Sequence, residues 1–144
     1  MSASKSVIDS FRGDFRWLSN FHYGEFIYDG VKYITSEHAY QAAKTFDLIE
    51  KQRIIDCDTP RKAKNLGMKV TLRPDWEQVK LQIMNNILIE KFKDKNLQDL
   101  LLMTGSAKLI EGNDWNDTFW GVCRGKGENH LGRILMKIRH NLQL

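Results

Sequence analysis

Side-chain types that can do acid–base or nucleophilic chemistry are concentrated in one short stretch, TSEHAYQAAK, at residues 35–44. Glu37, Gln41 and Lys44 are spaced at i, i+4 and i+7, so on a helix they share one stripe. A carboxylate there can stabilise a cation or activate water, and a lysine with a depressed pKa can act as a nucleophile. The same spacing also suits an ordinary solvated helix face. Periodicity alone leaves both interpretations open.

A second candidate region is rich in glycine and basic residues and leads into a predicted helix near Asn129. It contains Gly121, Gly125, Gly127 and Gly132, interleaved with Arg124 and Lys126. Flexible glycines, basic side chains and a helix N-terminus together favour phosphate binding. The spacing matches neither a P-loop nor a dinucleotide-binding fingerprint. A glycine-rich turn that joins two elements is the alternative.

Aromatic residues alternate with short acids and amides in two further segments. Trp115, Phe119 and Trp120 stand among Asn113, Asp114, Asn116 and Asp117, and FRWLSNF near the N-terminus contains Trp17, Asn20 and Phe21. Such residues can stack on a base and hydrogen-bond to a ribose. They can equally be core anchors beside Asx turns. The sequence leaves this choice open as well.

The composition of the 144 residues is that of an ordinary globular chain, with 42% hydrophobic and 28% charged residues. The formal charge of +4 is too small to diagnose nucleic-acid binding but suits a phosphorylated ligand. Cys57 and Cys123 are far apart and are predicted to be free thiols in a reducing compartment. The histidines form no zinc-binding pattern, so we expect neither metal nor cofactor. Without a signal-peptide pattern or a spanning apolar run, we expect a cytoplasmic protein with no membrane association.

Helical patterns predominate among the predicted elements. FIYDGVKY predicts a β-hairpin that turns at Asp29-Gly30. The helices predicted are SEHAYQAAKTF, capped by Thr35 or Ser36; a segment capped by Thr59 and stopped by Gly67; RPDWEQVKLQIMNNILIEKF, with an apolar stripe; LQDLLLMTG, stopped by Gly105; and HLGRILMKIRHNLQL. Short β pieces are predicted at 108–111 and 119–123. We predict a tail at residues 1–10 and one mainly α (α+β) domain at residues 11–144.

Four blocks, taken together and in order, resemble the signatures of the NADAR, or YbiA-like, family. FRGDFRWLSNF is similar to F-x-G-x-(Y/F)-x-F-L-S-N-F, with Trp17 where Phe is usual. ITSEHAYQAAK resembles (S/V)-E-H-x-(Y/F)-Q-A-x-K, and LRPDWEQVKLQIM resembles L-R-x-D-W-x-x-x-K-x-x-V-M. EGNDWNDTFWGVCRGKGENHLGRILMKIR resembles a D-x-x-W-G block followed by G-x-G-x-N. The resemblance covers nearly the whole chain, from about Phe11 to Arg139.

The resemblance implies a compact helical domain that hydrolyses the bond between ribose C1 and a nitrogen. Two substrate classes are implied: ADP-ribosylated guanine in nucleic acid or nucleotide, and phosphorylated ribosylamino intermediates of riboflavin synthesis. The fuller FRGDFRWLSNF and EGNDWNDTFWGVC segments favour the first class. A non-catalytic module that binds ADP-ribose or NAD is an alternative. Dispersed basic residues disfavour a general nucleic-acid-binding protein. The oligomeric state stays open.

The resemblance also assigns roles to individual positions. Glu37, Lys44 and Asp117 are the expected catalytic residues, with Glu37 as the carboxylate, Lys44 as a possible nucleophile and Asp117 as a second acid or ribose anchor. The expected substrate-binding residues are Asn20, Phe21, Ser36, His38, Gln41, Trp76, Trp120, Gly121, Arg124, Lys126, Gly127 and Asn129. Trp76 and Trp120 are expected to stack on the base, and Arg124, Lys126 and the glycine amides to hold phosphates.

Overall fold

The computed structural model describes residues 6–144, which form two compact units. The first unit contains the N-terminal segment to Ser19 and the chain from Phe92 onward, and the second is Asn20–Lys91. Residues 1–5 of the predicted tail lie outside the described part, while Val7 and Ile8 form a short strand. The predicted tail therefore contributes to the first unit, and the single-domain boundaries stay a prediction.

Helices dominate the described residues and the strands are short, which confirms the predicted mainly α class. In chain order the elements are β1 (Val7–Ile8), a 3₁₀ helix (Gly13–Leu18), β2 (Phe26–Tyr28), β3 (Val31–Tyr33), α1 (Ser36–Ala42), α2 (Leu48–Ile55), α3 (Pro60–Gly67), α4 (Trp76–Lys91), α5 (Lys95–Met103), β4 (Lys108–Leu109), β5 (Gly112–Asn113), β6 (Val122–Cys123) and α6 (His130–Gln143). No helix among these residues is long and apolar enough to span a bilayer.

The second unit begins with the predicted hairpin. Strands β2 and β3 pair antiparallel with Phe26 opposite Tyr33. Asp29 and Gly30 both have positive φ, 52° and 77°, as a two-residue type I′ turn requires. This prediction is confirmed.

Helix α1 begins after Thr35, whose side chain accepts a hydrogen bond from the His38 backbone N–H. Every residue of α1 is buried, including the polar Glu37, at 8% exposure, and Gln41, at 3%. A solvated face cannot be buried in this way. The structure therefore excludes an ordinary solvated helix face for the Glu37 and Gln41 positions of TSEHAYQAAK.

Helix α3 has the predicted Thr59 cap and Pro60 in its first turn. Gly67 is the last helical residue and does not adopt the left-handed conformation of a stop signal. A Cβ at this position would overlap the Gln41 side chain on α1. Helix α3 ends at Gly67 as predicted, but glycine is needed at this position for close helix packing and not for a left-handed stop.

The predicted stripe of α4 is buried at Trp76, Ile83, Met84, Ile87 and Leu88, whereas Val79 is only half-buried.

Helix α2 was not predicted. Its first residues, Leu48 and Ile49, are exposed and Ile54 is its buried residue, so its sequence has no regular apolar stripe. The capping Asp47, which accepts from the Glu50 N–H, was the available signal.

The first unit contains two small parallel sheets, β1 with β4 and β5 with β6, together with α5 and α6. Helix α5 ends before Gly105, whose φ of +61° confirms the predicted stop. The predicted β pieces at 108–111 and 119–123 are confirmed in shorter form. The core of this unit includes Ile8, Phe11, Trp17, Leu18, Phe92, Leu101, Leu109, Leu131, Ile134, Leu135 and Ile138.

Candidate active site

The N-terminus of α1 is anchored by Asn20, whose side chain is buried. The Ser36 hydroxyl donates to Asn20 Oδ1 at 2.8 Å, and the Glu37 N–H donates to the Asn20 carbonyl at 3.0 Å. Asn20 Nδ2 in turn points to Met84 Sδ at 3.7 Å. These contacts hold the helix end on which Glu37 stands. They favour a positioning role for Asn20 and Ser36 over direct contact with substrate.

His38 is fully buried and both of its ring nitrogens are engaged. Nδ1 lies 2.7 Å from Thr35 Oγ1, and Nε2 lies 2.9 Å from the Cys57 carbonyl oxygen. Because a carbonyl only accepts, Nε2 carries the proton and Nδ1 accepts from the threonine hydroxyl. Burial lowers the pKa of His38, which keeps the ring neutral. The predicted substrate contact is thus disfavoured, and His38 instead ties α1 to the Cys57 backbone.

Glu37 is held by a residue of its own helix. Gln41 Nε2 donates to Glu37 Oε2 at 2.5 Å, across one helical turn. Both side chains are nearly inaccessible to solvent. Gln41 Oε1, on the other side of the amide, is buried against Gly67 and has no hydrogen-bond partner among the described residues. Gln41 therefore holds one oxygen of the Glu37 carboxylate.

Lys44 lies in the turn after α1, because the helix ends at Ala42, earlier than predicted, and the helical stripe therefore includes Glu37 and Gln41 but not Lys44. Its Nζ lies 5.6 Å from the centroid of the Tyr40 ring, which packs on Trp76 at 5.1 Å. Burial lowers the pKa of Lys44; Glu37 opposes this shift, and Lys64 and Lys80 add to it. A lysine with a lowered pKa is a better nucleophile than an exposed one. The structure thus places Lys44 just beyond the end of α1, near enough to Glu37 for the two charges to interact.

The two aromatic residues of the second unit that were predicted to bind substrate, Trp76 and Phe21, differ in their exposure to solvent. Trp76 is 4% exposed and packs in the core, so a stacking role on a base is disfavoured. Phe21 is half-buried, and the Arg61 guanidinium lies 5.5 Å from its ring centroid. Phe21 thus remains a candidate for contact with a ligand.

In the first unit, Asp117 organises a turn. Its Oδ1 accepts from the backbone N–H groups of Phe119 and Trp120, at 3.1 and 2.9 Å. Asn113 Oδ1 likewise accepts from the backbones of Trp115 and Asp117. These are Asx-type turns, the structural alternative that the sequence left open. One oxygen of Asp117 is therefore committed to backbone, while the half-buried Trp120 packs on Phe119 at 4.7 Å.

The glycine-rich segment is a tight turn. Cys123 and Lys126 exchange both backbone hydrogen bonds, at 2.8 and 3.0 Å, while Arg124 and Gly125 have positive φ. The Arg124 and Lys126 side chains are exposed, as a phosphate-binding role requires. A Cβ at Gly121 would overlap Glu111, and one at Gly127 would overlap the Gly121 carbonyl oxygen. Both glycines allow close backbone approach.

Asn129 is buried in the left-handed conformation, with φ 54°, immediately before α6. Its Oδ1 accepts from the Glu111 N–H at 3.0 Å, and its Nδ2 donates to the Leu109 carbonyl at 2.9 Å. Both polar ends of the amide are satisfied by backbone. These bonds favour a structural role over the predicted contact with substrate.

Neither unit contains a recognisable metal centre: across residues 6–144, no group of three His, Cys, Asp or Glu side chains is arranged to hold an ion. Cys57 and Cys123 are both free thiols.

Comparison with known proteins identifies the family of this chain. The NADAR domain model matches residues 10–143. The N-glycosidase YbiA of Escherichia coli is 40% identical over 136 residues, which cover 92% of this chain and 82% of that protein. A riboflavin biosynthesis protein of Vibrio vulnificus is 34% identical over 131 residues, or 88% of this chain and 35% of that protein. The NMR structure of E. coli YbiA superposes with a TM-score of 0.86 at 36% identity, covering 99% of this chain and 88% of that one.

The family match and the N-glycosidase relatives identify the chain as a hydrolase of N-glycosyl bonds. The chain belongs to the NADAR domain family.

Proposed function

We propose that the enzyme removes ADP-ribose from the amino group of guanine, in nucleic acid or in a nucleotide, by hydrolysing the bond between ribose C1 and nitrogen. The observation that carries the chemistry is the buried Glu37 carboxylate, which accepts from Gln41 and acts electrostatically on Lys44 just beyond the end of α1. The choice of substrate is supported by the family resemblance of FRGDFRWLSNF and EGNDWNDTFWGVC.

Cleavage of this bond develops positive charge at C1 and negative charge on the departing nitrogen. In a direct route, Glu37 stabilises the cation or activates the attacking water. In a covalent route, neutral Lys44 Nζ bonds to C1, and the C1–N bond breaks with its electron pair on the leaving nitrogen. The two amine protons of Lys44 pass to that nitrogen and to the ring oxygen, which leaves a Schiff base. Water then hydrolyses the Schiff base and regenerates the lysine.

The test of function follows release of product by mass spectrometry. Wild-type protein is incubated with an oligonucleotide that contains ADP-ribosylated guanine. We expect release of ADP-ribose and unmodified oligonucleotide, and a loss of about 10²–10⁴ in rate for Glu37→Gln. Glu25→Gln, at an exposed acid of the same unit, is the matched control and should retain activity. Absence of turnover by wild type would contradict the proposed substrate.

Borohydride distinguishes the two routes. In the covalent route, reduction during turnover leaves a stable adduct on Lys44, and trapping becomes faster with rising pH until the amine is fully neutral. Because burial lowers the pKa of Lys44, this rise is complete below the range of an exposed lysine. If turnover proceeds and no adduct forms on Lys44, Glu37 acts by the direct route.

A second substrate class has its own support, because the V. vulnificus relative is named a riboflavin biosynthesis protein. On this alternative, the enzyme hydrolyses a phosphorylated ribosylamino intermediate with the same Glu37 and Lys44 chemistry. Incubation with that intermediate is the parallel arm of the assay. Turnover of it, without turnover of the ADP-ribosylated oligonucleotide, would favour this alternative.

A further inference from the structure

The turn after α1 is held by residues that lie further along the chain. The backbone N–H of Arg73 donates to the Lys44 carbonyl at 2.7 Å, and Arg73 Nη1 lies 3.5 Å from the Ala43 carbonyl oxygen. The Lys51 ammonium, on α2, donates to the Ala42 carbonyl at 3.0 Å. The last carbonyls of a helix have no partner within it, and cationic side chains there also complement the helix dipole. Arg73 and Lys51 therefore close the C-terminal end of α1.

A second set of contacts joins the same two segments through Glu50 on α2. Glu50 Oε1 accepts from the Thr45 hydroxyl at 2.8 Å and from the Thr71 N–H at 2.9 Å, and Oε2 accepts from the Thr71 hydroxyl at 3.2 Å. Thr45 is fully buried and directly follows Lys44. The Lys44 N–H donates to the Gln41 carbonyl at 3.2 Å. The backbone of Lys44 is thus held on both sides, by α1 and by the segment that precedes α4.

The Arg73 side chain fixes the segment to which it belongs. Its guanidinium forms a two-pronged ion pair with Asp75, Nε to Oδ1 at 2.6 Å and Nη2 to Oδ2 at 2.9 Å, and lies 4.3 Å from the centroid of the Phe46 ring. A fork of this kind fixes orientation as well as distance. It spans Pro74, which itself disfavours helical backbone at the preceding residue. The fork therefore stabilises the backbone that presents the Arg73 N–H to Lys44.

We propose that Arg73, together with Asp75, is a positioning residue of the active site, because it fixes the turn that carries Lys44 and so keeps this lysine in place relative to Glu37. Arg73 acts through the backbone of Lys44 and not on the reacting atoms. This inference rests on the proposed function and deepens it, since it requires that Lys44 take part in the reaction. Neither residue was among the site residues expected from the sequence, although they are the arginine and the aspartate of the L-R-x-D-W signature.

Steady-state kinetics of Arg73→Met and Asp75→Ala test the positioning role, with whichever of the two proposed substrates wild type turns over. Each change breaks the fork and loosens the turn, so kcat per folded molecule should fall about tenfold to a hundredfold while KM changes little. Because the two side chains act as one unit, the double variant should lose about as much as either single variant. Wild-type kcat in both single variants, or a rise in KM alone, would overturn the proposal.

Two controls in the same unit separate positioning from a general loss of stability. Lys62→Met breaks an exposed ion pair, 2.9 Å from Asp58, and Thr59→Ala removes the side-chain cap of α3. Thr59→Ala should lower the melting temperature and leave kcat per folded molecule unchanged, and Lys62→Met should change neither. Arg73→Lys, which keeps the charge but cannot form the fork, replaces Arg73→Met if that variant does not fold. An equal loss of kcat in Thr59→Ala would mean that Arg73 acts through stability alone.

NMR of protein with lysines labelled at Cε reports on Lys44 without turnover, its signal being assigned from Lys44→Arg. Burial lowers the pKa of Lys44, so a loosened turn should raise that pKa toward its ordinary value in both Arg73→Met and Asp75→Ala. Loss of charge alone predicts opposite directions, because removing the Arg73 cation raises the Lys44 pKa and removing the Asp75 anion lowers it. A lowered or unchanged pKa in Asp75→Ala would therefore overturn the positioning role. If wild type turns over neither substrate, a raised pKa in both variants leaves the positioning of Lys44 standing while the proposed function fails.

Discussion

Gln41 connects the reactive carboxylate to the helix that packs beside it. Its amide N–H₂ group donates to Glu37, and its oxygen lies against Gly67 of α3. A buried amide oxygen without a partner costs about 1–3 kcal/mol, so its retention next to a catalytic candidate is consistent with a functional constraint. We infer that Gln41 positions Glu37, and that Gly67 leaves the space in which Gln41 does so.

Gly67→Ala tests this arrangement. In an unconstrained helix, Ala replacing Gly stabilises by about 1 kcal/mol. Here the added Cβ would overlap Gln41 Oε1 and stand 2.7 Å from Gln41 Cδ, so we expect a net destabilisation of about 1–3 kcal/mol. Because Gln41 is displaced from Glu37, kcat should fall while KM changes little. Urea unfolding and steady-state kinetics measure the two effects.

Two further variants control the Gly67 experiment. Asn65→Ala changes an exposed position of α3 and should leave stability and kcat nearly unchanged. The double variant Gly67→Ala/Gln41→Ala removes the overlapping atoms, so it should regain stability but not kcat. A Gly67→Ala protein that is more stable than wild type and fully active would show that this contact does not position Glu37.

At the scale of elements, the start of α6 depends on the left-handed Asn129. Alanine in this conformation costs about 1–2 kcal/mol, and the substitution also leaves the Glu111 N–H and the Leu109 carbonyl without their side-chain partner. We expect Asn129→Ala to lower the free energy of unfolding by about 3–5 kcal/mol, measured in urea.

Asn116 provides the matched comparison for Asn129. It is also a left-handed asparagine, with φ 67°, but it is exposed and accepts a hydrogen bond from Arg124. Asn116→Ala should therefore cost only about the 1–2 kcal/mol of the backbone conformation. Equal losses in the two variants would mean that the buried hydrogen bonds of Asn129 do not hold the start of α6.

The sequence correctly predicted the turns, helix caps and apolar stripes that depend on residues close together in the chain. The Asp29-Gly30 turn, the Thr35 and Thr59 caps, the Gly105 stop and the stripe of α4 all depend on neighbours within a few residues. Helix α2 was missed because two of its four apolar residues, Leu48 and Ile49, are exposed and leave no regular apolar stripe. Strand β1 was missed because its partner is β4, a hundred residues later, and a parallel pairing leaves no periodicity in so short a segment.

The candidate site was predictable in part for the same reason. Glu37 and Gln41 lie on α1, so their spacing predicted their common face, whereas Lys44 lies in the turn that follows the helix. Whether that face was buried depended on α3 and α4, which are remote in sequence. The burial of His38 and Trp76 and the contact of Arg73 with the turn after α1 likewise arise from packing between segments that are remote in sequence. Side-chain type alone could not distinguish a ligand contact from a positioning residue.

The stability of the whole molecule is coupled to pH through Lys91, at the end of α4. Lys91 is 3% exposed, and burial lowers its pKa to about 7. In the unfolded chain the pKa returns to about 10.4. Between these values the unfolded state binds one more proton than the folded state, so stability rises with pH through this range and is lowest below pH 7. The limiting slope from this one group is about 1.4 kcal/mol per pH unit.

Lys91→Met should remove this dependence. Urea unfolding is measured from pH 6 to 9.5 for wild type, Lys91→Met and the exposed control Lys93→Met. Since methionine has no proton to bind, the difference in stability between Lys91→Met and wild type should be largest at pH 6 and shrink steadily above pH 7. Lys93→Met, which removes an exposed lysine two residues further along the chain, should run parallel to wild type. A constant difference across the range would contradict the lowered pKa and would indicate that the Lys91 ammonium stays charged in the fold, stabilised by its surroundings.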